Sequence, residues 1–202
     1  MTPNFQDGLK KLKQKNESHP AHIISQTQTL PFQIYTFDLN SEIDPNQIVD
    51  LCKSYQQEEF RDKDQVVYAW NSIYIRPNNN KIVGFEDLLN AVKNRVKPIW
   101  TFPYTYLVSH YWFIVYNKND HAVVHNHRMV DLACVYYAAV PEGSSPLVIP
   151  TVQGDLTIVP KPGMLVVMPG MCEHFVPNSD HDEERIIVAI NIAKDKLLIG
   201  SQ

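Results

Sequence analysis

The stretch from Tyr106 to His127, YLVSHYWFIVYNKNDHAVVHNH, decides the fold. Tyr106 to Asn117 is rich in β-branched and aromatic residues and reads as a strand. Asn117 to Asp120 is a turn, and His121 to His127 reads as a second strand. Working toward the C-terminus, the pattern repeats in Leu132 to Val140, Leu147 to Thr151, Leu156 to Val159, Met164 to Met168, His174 to Val176 and Arg185 to Ala193. Eight short strands parted by Pro, Gly, Asn and Asp turns, with few helical signals between them, predict a mainly β sandwich or barrel of two sheets.

Toward the N-terminus the signals are mixed. Phe32 to Leu39 and Val67 to Ile75 are β-prone. Between them Asp44-Pro45 supplies an N-cap with proline at the first helical position, and Ile48, Leu51, Cys52 and Tyr55 form one apolar face of a helix ending near Phe60. Phe85, Leu88, Leu89, Val92, Val96 and Ile99 recur at helical spacing and give a second helix. Two helices that precede a β region are expected to pack on one outer face of it. Residues 1–25, with Lys10, Lys11, Lys13 and Lys15 around Leu9 and Leu12, read as a mobile arm, leaving 26–202 as a single domain.

Composition narrows the functional classes. With 202 residues, 44% hydrophobic, the chain can bury one good core. A net charge of -4 gives no global attraction to nucleic acid or to an anionic membrane. No apolar run approaches the roughly 20 residues that span a bilayer, and Met1 to Ser18 is polar, so the expectation is a soluble, cytoplasmic protein. Cys52, Cys134 and Cys172 are odd in number and lack a CxxC pair, so they offer neither a disulfide framework nor a structural zinc site.

Chemistry concentrates in the β region. His125 and His127 are two apart, and alternation along a strand points both rings to one face. His174 follows the turn Pro169-Gly170, where an antiparallel partner strand can bring it beside them. Three imidazoles on one face suit a divalent first-row metal and leave coordination positions open. Arg185 starts a strand face that continues through Ile187, Ala189 and Asn191. A charge on so apolar a face needs a partner, and a guanidinium fork suits a carboxylate.

The run Trp112 to Tyr116, His125-Asn126-His127, Val135-Tyr136-Tyr137, Pro162-Gly163, Pro169, His174 and Arg185-Ile186 to Asn191 resembles the Fe(II)/2-oxoglutarate-dependent oxygenases, in particular a small group with HxH in place of HxD. The resemblance covers about residues 85 to 194. It implies a double-stranded β-helix, a jelly-roll or cupin-like barrel, in which His125, His127 and His174 hold Fe(II). It further implies that Arg185 pairs with the C5 carboxylate of 2-oxoglutarate, and that Tyr116 matches a tyrosine hydrogen-bonded to that cosubstrate. The activity implied is hydroxylation of a small-molecule or peptidyl substrate with release of succinate and CO2. Three positions depart from the family pattern: His127 stands where a carboxylate is usual, Ala133-Cys134 where Ser-Gly is usual, and Ile187 where a small hydroxyl residue is usual. Asn191 matches the family's asparagine.

A second resemblance is to cupins that bind metal without 2-oxoglutarate. There Asp131, His174 and Asn178 fall near motif positions, and Asp131 is read either as a fourth ligand or as a turn residue that orients an imidazole. Arg185 separates the two readings, because a cupin has no special need of it.

Overall fold

The computed structural model describes residues 22–23, 32–56, 61–62, 66–77, 83–99 and 105–195. The elements in chain order are β1 (His22–Ile23), β2 (Tyr35–Asp38), α1 (Pro45–Gln56), β3 (Arg61–Asp62), β4 (Val67–Tyr68), β5 (Trp70–Ser72) and α2 (Glu86–Val96). They continue with β6 (Thr105–Tyr116), β7 (His121–His125), β8 (Leu132–Ala139), β9 (Leu147–Ile149), β10 (Leu156–Ile158), β11 (Met164–Pro169), β12 (His174–Val176) and β13 (Arg185–Asp195).

These strands form an antiparallel sheet in the order β1-β2-β11-β8-β13-β6-β5-β3 and a second in the order β10-β9-β12-β7-β4. All eight strands expected from residue 106 onward are present, and they alternate between the sheets as the chain runs except at the β9–β10 hairpin: β6, β8, β11 and β13 lie in the larger, β7, β9, β10 and β12 in the smaller. The architecture is a double-stranded β-helix.

Alternation along the large sheet divides the core into two. Ile186, Val188, Ile190 and Ile192 of β13, with Phe113 and Val115 of β6 and Cys134 and Tyr136 of β8, pack outward against Ile48 and Cys52 of α1 and Leu88, Leu89 and Val92 of α2. Ile187 and Ala189, with Trp112, Ile114, Tyr116, Val135 and Tyr137, face inward toward Val67, Ala122, Leu147 and Val176 of the smaller sheet. A sheet buried on both faces needs apolar residues at both parities, which is why these strands read as continuous apolar runs. The helices cover one outer face, as expected.

Local chemistry sets the element ends. Asp44 accepts a hydrogen bond from the Asn46 N–H through Oδ1 at 3.0 Å and so caps α1, with Pro45 at its first position. The expected single strand Val67 to Ile75 is divided. β4 pairs with β7 of the small sheet and β5 with β6 of the large one, so the chain changes sheets at Ala69, and Ile75 returns only as a bridge to Tyr111. A strand cannot serve two facing sheets without leaving one of them. β1 pairs with β2, and the rest of the expected arm 1–25, including its lysine cluster, lies outside the described residues.

β13 is the central element, hydrogen-bonded along its length to β6 on one side and β8 on the other. Ile190, fully buried on its outward face, is the test of that centrality. Ile190→Ala should lower the urea midpoint by the equivalent of about 2–5 kcal/mol with an unchanged m-value. A loss within experimental error would show that the strand is not at the core.

Candidate metal centre

The site begins with a cross-strand pair. In the antiparallel ladder of β12 and β7, His174 stands directly opposite His125, and the register slips before Val176 meets Ala122. Opposed residues on one face are close neighbours, and here the ring centroids are 4.3 Å apart.

His127 reaches the pair by another route. The strand expected to run through His127 ends at His125. Beyond it the His127 N–H donates to the Gly170 carbonyl at 2.6 Å, and the Val130 N–H closes a turn onto the His127 carbonyl at 3.0 Å. The His127 ring stacks on Trp112 at 5.6 Å and lies 5.3 Å from the His174 ring and 5.4 Å from that of His125. One ligand atom from each of the three histidines falls within 4.8 Å of the others, and among the described residues no carboxylate or thiol joins them.

Backbone carbonyls fix the tautomers of two rings. Nδ1 of His125 donates to the Val123 carbonyl at 2.8 Å, and Nδ1 of His174 to the Cys172 carbonyl at 3.0 Å. A proton held on Nδ1 leaves the Nε2 lone pair as the ligand. Burial, reinforced by the nearby His125, pushes His174 down to about 3, so its ring is neutral at physiological pH, as metal ligation requires. An imidazole binds a metal as an uncharged ligand, so three of them would leave a divalent cation's charge intact.

Arg185 lines the same interior cavity as the three histidines. It is 1% exposed. Nη1 donates to the Ser145 carbonyl at 2.8 Å, from the loop between β8 and β9, whereas Nε and Nη2 are buried without a hydrogen-bond acceptor among the described residues. The guanidinium carbon lies 5.1 Å from the Tyr116 ring centroid and 5.2 Å from that of Tyr137. Tyr116 is its direct cross-strand partner on β6. Two aromatic faces stabilise a cation only partly, and an unpaired buried charge costs several kcal/mol. An anion in this cavity would complete the fork.

The other anticipated residues lie elsewhere. Asp131 does not orient an imidazole: its Oδ2 accepts the Lys194 N–H at 2.8 Å and its Oδ1 pairs with Lys194 Nζ at 3.3 Å. The carbonyls of Val123 and Cys172 do the orienting, a backbone role that side-chain patterns do not reveal. Asn191, opposite His110 in the ladder, hydrogen-bonds the His110 Nε2 through Nδ2 at 2.8 Å. The Cys172 thiol is pushed up to about 12 by burial and stays protonated.

With this geometry in view, solved structures place the chain. Neither a protein-family model nor a curated protein sequence matches it. A Trichoplax adhaerens prolyl hydroxylase in complex with a hypoxia inducible factor oxygen degradation domain peptide fragment superposes with a TM-score of 0.67 at 13% identity, covering 100% of this chain and 99% of that one. The viral collagen prolyl hydroxylase of Paramecium Bursaria Chlorella virus-1, in its 2OG complex, gives 0.60 at 11% identity over 79% of this chain and 94% of that one. The non-haem α-ketoglutarate-dependent epimerase SnoN from nogalamycin biosynthesis gives 0.65 at 8% identity, covering 84% and 86%. The chain has the fold of these enzymes. Inside that fold, His125, His127 and His174 form a group that could hold a metal ion.

Gly170 is a positioning residue that the sequence showed only as a turn. A Cβ there would lie 2.1 Å from the Val130 carbonyl oxygen and 2.7 Å from that of His127, and its own N–H donates to the Asp131 carbonyl at 2.9 Å. Backbone meets backbone, so no rotamer relieves the clash. Gly170→Ala should therefore cost about 1–3 kcal/mol in denaturant unfolding and shift the His127 imidazole resonances in NMR spectra. Unchanged stability and spectra would show that the loop carrying His127 is not held by this contact.

Proposed function

We propose that the protein is an Fe(II)- and 2-oxoglutarate-dependent dioxygenase that hydroxylates a small-molecule or peptidyl substrate, with succinate and CO2 as co-products. One observation carries the reading: a fully buried arginine with two donors unfilled among the described residues opens onto the same cavity as three imidazoles whose ligand atoms converge. His125, His127 and His174 would hold the iron. Arg185 would take the C5 carboxylate of 2-oxoglutarate in a bidentate fork through Nε and Nη2, with Tyr116 beside it.

The chain's own contribution is positional and electrostatic. The two sheets wall the cavity, while the Ser145 carbonyl and the two tyrosines hold the guanidinium in place. The Val123 and Cys172 carbonyls hold the Nδ1 protons and so present Nε2 to the metal. Iron and 2-oxoglutarate, when bound, supply the power to oxidise an unactivated C–H bond with O2. Replacing the usual carboxylate by His127 leaves one more positive charge on the metal side, which favours an anionic chelating cosubstrate. The cupin reading is less well supported, because Asp131 is engaged by Lys194 and Arg185 is turned into the cavity.

Adding 2-oxoglutarate to anaerobic Fe(II)-loaded protein should produce a visible metal-to-ligand charge-transfer band. Arg185→Ala should weaken the 2-oxoglutarate dissociation constant by at least tenfold while iron still binds. Iron uptake without a band would sink the 2-oxoglutarate assignment, and failure to take up metal at all would sink the oxygenase.

A further inference from the structure

The inward face of β13 carries Arg185, Ile187, Ala189 and Asn191 in succession, opposite Tyr116, Ile114, Trp112 and His110 of β6. Arg185 and Asn191 lie six strand steps apart, about 20 Å, so the two polar ends of this face cannot serve one small ligand. The His127 ring stands between them, stacked on Trp112. On the Asn191 side lies a separate open cleft of about 390 Å3, lined by His110, Asn126, His127, Arg128, Met129 and Asn191. His127 thus borders both the interior cavity that holds Arg185 and this outer cleft.

The cleft has built polar chemistry. Asn191 is 4% exposed, and its amide is half used: Nδ2 donates to His110 Nε2, and Oδ1 is buried without a partner among the described residues. His110 is fixed in turn by Ser109 Oγ at Nδ1, 2.9 Å away, and by rings on two sides, Trp112 stacked at 5.6 Å and Tyr74 edge-on at 5.2 Å. Burial, with Arg76 nearby, lowers the pKa of that imidazole below its usual value. A buried amide oxygen held by so rigid a support calls for an N–H or O–H donor. Arg128 is the charged residue of the lining, and among the described residues no carboxylate faces the cleft. The lining therefore favours an anion and disfavours a cation.

We propose that this cleft is the subsite for the substrate to be oxidised, and that it selects carboxylate-bearing molecules that donate an N–H or O–H hydrogen bond to Asn191 Oδ1, with Arg128 receiving the carboxylate. The proposal rests on the oxygenase reading for its purpose. It deepens that reading by separating the two ligands: cosubstrate at the Arg185 end, substrate at the Asn191 end, the metal histidines between.

The test uses the full chain loaded with Zn(II) and 2-oxoglutarate, and ligand-observed saturation-transfer NMR with three probes. These are N-acetylalanine (amide N–H and carboxylate), lactate (O–H and carboxylate) and alaninamide (cationic, without a carboxylate). Saturation transfer is expected to N-acetylalanine or lactate and not to alaninamide, and which acid responds tells an amide donor from a hydroxyl. Asn191→Leu, and separately the surface variant Arg128→Glu, should each weaken the responding acid by at least tenfold and leave the anaerobic Fe(II)–2-oxoglutarate band as in the wild type. Equal binding of alaninamide, no binding of either acid, or acid binding indifferent to both variants would overturn the proposal. If the wild type binds the acids but gives no band, the cleft stands and the oxygenase reading falls.

Discussion

A charged guanidinium sealed in the centre of a protein, with two of its donors unmatched among the described residues, is the constraint on which the rest of this molecule turns. Arg185 is buried to the same degree as the core isoleucines that follow it along β13. An apolar side chain of similar volume would avoid such a cost, so the charge points to a use. Its surroundings stabilise the cation without neutralising it: one carbonyl and the faces of Tyr116 and Tyr137 hold it, and among the described residues no carboxylate reaches it. An anion entering the cavity would meet this fork already in place, which is how a binding site avoids reorganisation at the moment of binding.

The double-stranded β-helix brings this cation to the histidines by register alone. One ladder sets Arg185 against Tyr116, another sets His174 against His125, and the two ladders belong to facing sheets whose inner surfaces meet. The third histidine depends on a different device, the backbone contact at Gly170 and a stack on Trp112. The centre therefore combines two rigid strand positions with one loop position. That loop also forms a wall of the outer cleft, so the geometry of His127 and access from that side are governed by the same few residues.

Much of this was legible in the sequence because β alternation is a strict rule. The eight strands from Thr105 onward follow from their apolar runs and turn residues, and the shared face of Arg185, Ile187, Ala189 and Asn191 follows from counting by two. The pairing of His174 with His125 follows once the strands are antiparallel. What escaped were contacts made by backbone or across loops. His127 leaves the strand, so its approach owes nothing to alternation, and Gly170 matters for a carbonyl 40 residues or more away in sequence. The carboxylate of Asp131 was drawn to Lys194, a cation that reaches it only through tertiary pairing. The change of sheets at Ala69 carries no punctuation in sequence, since neither proline nor glycine marks it.

The most direct measurement is an anaerobic crystal structure of the protein with Mn(II) and 2-oxoglutarate. The account predicts one metal ion bound by nitrogen atoms of His125, His127 and His174, and a carboxylate of the chelating ligand seated in a two-bond fork on Nε and Nη2 of Arg185. Metal bound elsewhere, or an Arg185 that keeps its present contacts while the ligand's carboxylate is held by other residues, would contradict it.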